Sequence, residues 1–125
     1  MKNNPVGWFE IYVQDMSRAK AFYEAVFEGT LTALPSPVPG LEMWTFPMDY
    51  TESGAAGALV KMEGKDSSVG GTLIYFKCED CAVEAARFVP NGGSVMHEKM
   101  SIGEYGFIVL GHDTEGNLIG LHSMQ

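Results

Sequence analysis

The sequence is short of positive charge. Eight Lys and Arg stand against 16 Asp and Glu, giving a formal net charge of -8. A field of that sign repels nucleic acid phosphates and anionic lipid headgroups, so neither nucleic acid nor membrane is expected as a partner. Long apolar runs are missing too: none approaches the roughly 18 residues of a membrane span. The opening MKNNPVGW lacks the apolar core of a signal peptide, so a cytoplasmic location follows by default. Cysteine is scarce. Cys78 and Cys81 form a C-x-x-C where a strand gives way to a helix, the place of a thioredoxin-like redox pair. The acids between them, Glu79 and Asp80, would raise a thiol pKa rather than lower it, and a structural zinc would need two more nearby ligands than the sequence supplies. The plainer account is two small apolar side chains at a corner. Low-complexity tracts are absent, and 125 residues suit one domain able to bury a core without disulfide staples.

What is present is organised around Trp8 to Phe27, WFEIYVQDMSRAKAFYEAVF. From Trp8 to Val13 the pattern alternates as in a strand, with Phe9, Ile11 and Val13 forming a packing face. The other face carries Trp8, Glu10 and Tyr12, groups suited to a ligand or to water rather than to an oily core. At Asp15, a predicted N-cap, the period becomes helical. Ala19, Phe22, Tyr23, Val26 and Phe27 then recur at three- and four-residue spacing until Gly29. Residues 30 to 41 hold a short strand and a proline-rich connection, and strands are predicted over Glu42–Met48 and Ala55–Met62.

A Gly/Ser/Asp-rich connector, EGKDSSVGG, separates this from a second half that repeats the plan. A strand over Thr72–Cys78 leads through Asp80 into the helical CAVEAARFV, which halts at Pro90. Strands over Ser94–Ile102, Tyr105–His112 and Leu118–Met124 follow, the last two joined by a DTEGN turn with positive φ expected at Gly116. Setting Asp80 on Asp15 places Leu73, Tyr75 and Lys77 on Trp8, Glu10 and Tyr12. The expected organisation is a single domain of two βαβββ modules, about 6–62 and 71–124, with a connector at about 63–70. One helix per four-stranded sheet leaves the opposite sheet faces to curl around a shared cavity.

D-x-x-R-A-x-x-F-Y in the first helix, NGGSV in the second half and the closing DTEGNLIGL, in this order, resemble the vicinal oxygen chelate superfamily. That superfamily includes glyoxalase I, bleomycin and fosfomycin resistance proteins and extradiol dioxygenases. The resemblance implies an α+β fold of tandem βαβββ modules forming an open, cup-shaped mixed β-sheet barrel, often completed in a homodimer. It also implies a divalent metal such as Zn, Ni, Mn or Fe on four His, Glu or Gln ligands from the first and last strand of each module. Carried over position by position, those ligands fall on Trp8, Leu73, Gly120 and a site around Gly57 or Ala58, none of which can coordinate. The metal is therefore expected to be lost. A displaced site is the alternative, because Glu10 and His122 lie two residues farther along their strands with the same parity. An acid–imidazole pair or two separately hydrated groups is the plainer account of these residues.

By parity the cavity is expected to show Trp8, Glu10, Tyr12, Tyr75, Lys77 and His122, with Trp44 and Phe46 depending on the register of their strand. Aromatic rings would hold a flat or apolar ligand, and the polar groups would fix its orientation. Core packing is the competing account for Trp44 and Phe46, and solvent exposure for Lys77, His97 and His112. Two functions follow. One is metal-free binding of a small organic molecule, as in the bleomycin resistance relatives. The other is a glyoxalase-like lyase or isomerase in which Glu10 or His122 moves a proton. A structural dimer with a filled cup is a third account, and a phosphonate substrate is disfavoured because Lys77 is the only cation expected in the cup.

Overall fold

The computed structural model describes residues 8–35, 39–49, 51–68, 73–103 and 106–125, with Trp8 described for its backbone only. The expected strand starts at Thr72 and Tyr105, part of the proline-rich connection and the end of the Gly-rich connector lie outside the described residues. The first module runs β1 (Trp8–Tyr12), α1 (Met16–Phe27), β2 (Thr32–Leu34), β3 (Leu41–Thr45) and β4 (Ala56–Met62). The second runs β5 (Ile74–Lys77), α2 (Cys81–Ala85), a 3-10 turn (Val89–Asn91), β6 (Ser94–Ser101), β7 (Phe107–His112) and β8 (Leu118–Ser123). Each module forms a mixed four-stranded sheet, in the orders β1-β4-β3-β2 and β5-β8-β7-β6, with the first and last strand parallel and the rest antiparallel. The two sheets do not close into a barrel, which is the open form expected.

The apolar periodicity of α1 explains its seat. Ala19, Phe22, Tyr23 and Val26 are buried together, Asp15 accepts from the Arg18 N–H as N-cap, and the opposite face is solvated. The helix ends on Glu28 rather than on Gly29: Glu28 takes the left-handed conformation at φ 53°, and the Gly29 N–H bonds the Glu24 carbonyl. The predicted second helix is shorter than its Ala-rich pattern implied. After Ala85 the N–H groups of Arg87 and Phe88 bond carbonyls three residues back, tightening the chain into the 3-10 turn that contains Pro90.

One core serves both modules. Phe22 of α1 meets Phe88 edge-on at 5.4 Å between ring centroids, and Phe76 of β5 lies among Phe9, Tyr23, Phe27 and Phe46. A polar network joins the same two halves. The Glu115 carboxylate, fully shielded from solvent, receives the Arg18 guanidinium at 2.8 and 2.9 Å, the Gln14 and Asp15 N–H groups and the Thr114 hydroxyl. Asp113 accepts from the buried Tyr23 hydroxyl at 2.7 Å, from the Asn117 side chain and from two backbone N–H groups of its own turn. The Asn117 amide also donates to the Tyr12 carbonyl, and Ser67 donates to the Glu115 carbonyl while bonding the Gln14 amide. The D-x-x-R and D-T-E-G-N segments, so far apart in sequence, thus form one latch. Its repeat-related counterpart is absent among the described residues, because Val83 stands where Arg18 would be and Asp80 pairs with Lys99 at 2.8 Å instead.

Candidate functional site

The strand pairing fixes which side chains share a face. Glu10 stands opposite Ala58 and Ile11 opposite Leu59, while Tyr75 stands opposite Gly120 and Lys77 opposite His122. The repeat equivalent of Gly120 is therefore Ala58 rather than Gly57. Glu10 and Tyr75 occupy equivalent places on the two first strands, as do Tyr12 and Lys77.

β1 and β5 are edge strands of their sheets, and a cavity of about 650 Å³ lies between them. Phe9, Phe46, Leu73, Tyr75 and Phe76 give it an apolar wall, Glu10 and Lys77 supply opposite charges, and the Ser53–Ala55 backbone borders it. Glu10 accepts from the Tyr12 hydroxyl at 2.8 Å. That bond, with partial burial and the carboxylate's charge, raises the phenol's pKa above its ordinary value. Of the expected residues, the structure gathers Glu10, Tyr75, Lys77 and Phe46 on the larger cavity. Tyr12 lies with Glu10 on a smaller neighbouring one.

The other expected residues are placed by strand pairing and by the cavity linings. Trp44 pairs with Leu59, so Trp44 and Phe46 share the face of Ile11 and not that of Glu10. Phe46 reaches the cavity from the core side, 5.5 Å from the Phe9 ring, while Trp44 lies on an outer groove beside α1 with the Lys20 ammonium 3.9 Å above its ring. His122 belongs to the described lining of neither cavity that holds Glu10. Phe9, Ile74 and Phe76 were overlooked because the cavity lies beside an edge strand. All of residues 73–77 line it, whichever way they point, and a one-face parity rule misses half of them.

The ligand-derived positions do not suit a resident metal. Gly120 brings no side chain, with the Tyr75 ring lying over it 2.3 Å from where a Cβ would stand, and Leu73 and Ala58 bring only hydrocarbon. Among the described residues no three His, Cys, Asp or Glu side chains are grouped to hold an ion. His97 is exposed on β6, and His112 lies 3.5 Å from the Ser94 hydroxyl.

The C-x-x-C pair belongs to the core. Cys78 and Cys81 are repeat equivalents of the buried Val13 and Met16, and Cys81 is itself fully buried. Burial, reinforced by Glu84, pushes the Cys78 thiol well above its ordinary pKa, the reverse of a redox-active cysteine. Iodoacetamide at pH 8 is expected to label neither cysteine in the folded protein and both after unfolding. Rapid labelling of Cys78 in the native state would contradict this environment.

No helix among the described residues is long and apolar enough to cross a membrane. No protein of curated function matches the sequence significantly. Solved structures do match in fold. TnmS3 from Streptomyces sp. CB03234, an antibiotic binding protein, superposes with a TM-score of 0.65 at 21% identity over 98% of both chains. A glyoxalase/bleomycin resistance protein/dioxygenase family enzyme from Burkholderia phytofirmans PsJN does so at 0.67 with 13% identity, over 95% of this chain and 98% of that one. Glyoxalase I from Zea mays gives 0.69 at 14% identity over 94% of this chain, which spans 45% of the maize chain. At residues 6–121 the sequence also matches the profile of one family, so the chain belongs to the Glyoxalase/Bleomycin resistance protein/Dioxygenase superfamily.

Proposed function

We propose that the protein binds a small organic molecule in the cleft between β1 and β5, without the metal on which many of its relatives rely. The observation that carries this reading is the cavity of about 650 Å³, with Phe9, Phe46, Tyr75 and Phe76 on its wall and Glu10 and Lys77 at hand to orient a ligand. Its size suits a drug-sized molecule, and its aromatic wall suits a flat one. The antibiotic-binding neighbour, aligned over nearly its full length, supports binding as the activity. The four ligand-derived positions offer no coordinating side chain, which supports a metal-free site.

The reading includes a homodimer in the cytoplasm. Leu34, Met62, Met96 and Met100 are exposed on strands, apolar surface that a second copy would cover. Metal content measured on protein purified without a metal-affinity tag tests the metal-free claim, and a stoichiometric transition metal would overturn it.

Glu10 is the residue to change. Glu10→Gln is expected to weaken binding of a cationic aromatic probe about tenfold or more, by removal of a carboxylate at the cavity wall. The melting temperature should stay the same or rise, because Glu10 is exposed. A large loss of stability with unchanged binding would make Glu10 part of a structural ion pair.

A further inference from the structure

The larger cavity has a neighbour. A second chamber of about 230 Å³ shares Glu10 and Ile74 with it, one residue from each edge strand, so the two meet across that pair. Their walls differ in kind. The larger is mainly aromatic and aliphatic, whereas the smaller adds Tyr12, Asp66, Ser68 and Asn117 to its apolar floor.

Of the side-chain donors on the smaller chamber, those of Tyr12 and Asn117 are already used inside the protein, which leaves the Ser68 hydroxyl, a group that can accept as well as donate. The single Tyr12 O–H goes to Glu10, and the two Asn117 amide hydrogens go to the Tyr12 carbonyl and the Asp113 carboxylate. Glu10 and Asp66, in contrast, bring carboxylate oxygens and negative charge. Such a chamber disfavours an anionic arm by repulsion and an apolar arm by desolvation of two carboxylates, and it favours a compact, donor-rich cation. The segment that carries Asp66 and Ser68 is held in place from within: Ser67, between them, bonds the Gln14 amide and the Glu115 carbonyl, tying the connector to the latch.

Resting on the reading of the cleft as a small-molecule site, we infer that the ligand is a two-part amphiphile. Its aromatic or apolar body occupies the larger chamber, and a short arm ending in a protonated amine passes Glu10 and Ile74 to lie against Glu10 and Asp66. Asp66 thereby becomes a specificity residue for the charge on the arm, remote from the aromatic wall.

Calorimetric titration with two probes of one shape, naphthylethylamine and naphthylethanol, tests this on the wild type, Asp66→Asn and Glu10→Gln. The expected result is a preference of about tenfold or more for the amine in the wild type. Asp66→Asn should bring that preference toward parity by weakening the amine far more than the alcohol, and because Asp66 is exposed the variant should fold normally. An amine preference that survives Asp66→Asn but disappears in Glu10→Gln would overturn the two-chamber assignment and leave the proposed binding function standing, with the amine in the larger cavity. Failure of both probes to bind the wild type would remove the binding function itself and the inference with it.

Discussion

Glu115→Ala will lower the stability of the protein by about 3 kcal/mol at pH 7, from the loss of a shielded carboxylate with several charge-assisted partners. The Arg18 side chain is 53% exposed and recovers hydration, so little of that cost comes from a stranded cation. Most of it comes from the Gln14 and Asp15 N–H groups, which lose their acceptor at the entry to α1. The same carboxyl makes stability depend on pH. Burial alone would push its pKa up, but Arg18, the two N–H groups and Thr114 more than offset that and hold it at about 2, below the ordinary 4.5. A carboxyl with a depressed folded-state pKa contributes its stability in full above the unfolded value and loses it as pH falls through the folded one. The wild type should therefore weaken by about 3 kcal/mol between roughly pH 4.5 and 2 through this group. Urea melts of wild type and Glu115→Ala, run at pH 7 and again near pH 3, measure both effects. The gap between the two proteins should be wide at pH 7 and narrow in acid. Equal midpoints at pH 7 would mean that the latch does not hold the modules together.

Gly111→Ala is expected to cost about 3 kcal/mol, near the upper end for overpacking a core, whereas Gly120→Ala should cost less than about 1 kcal/mol. The two clashes look alike on paper. An added Cβ would lie 2.6 Å from the Phe88 ring at position 111 and 2.3 Å from the Tyr75 ring at position 120. Mobility of the obstructing group decides between them. Phe88 is fully buried and braced by Phe22, and at position 111 the new methyl also meets the Ser94 carbonyl at 2.7 Å, so nothing there can yield. Tyr75 is 45% exposed and can swing outward. Thermal melts rank the pair, and the reverse order would show that the Tyr75 ring is fixed in place. Because Tyr75 lines the larger cavity, Gly120→Ala should also change the affinity of aromatic probes, an effect Gly111→Ala has no direct route to produce.

Much of the fold was legible because burial leaves a period in the sequence. The apolar spacing of α1, the alternation of β1 and the repeated strand–Asp–helix opening each encode a buried face over a few residues. The family resemblance then ordered the modules. The placement of Trp44 and Phe46 was not legible, since their face depends on pairing with β4, and a shift of one residue reverses it. The cavity residues were read in part. Glu10 and Tyr75 follow from parity, but Phe9 and Phe76 line the cleft because β1 and β5 lie at sheet edges, which is a property of topology. The latch was invisible for a related reason. Each of its motifs is short and recognisable, yet Arg18 and Glu115 lie 97 residues apart, and no local pattern announces that they meet.

The long reach of that network bears on how the chain is made. Gln14 and Asp15 open the first helix, but their acceptor is Glu115, which leaves the ribosome about a hundred positions later. The amino-terminal half must wait through most of synthesis with its leading turn unsatisfied, and the late β7–β8 hairpin delivers the missing oxygen atoms. Assembly governed by such distant pairings is slow for a protein of this size. A nascent chain halted before the hairpin emerges should leave its first helix frayed and open to proteolysis.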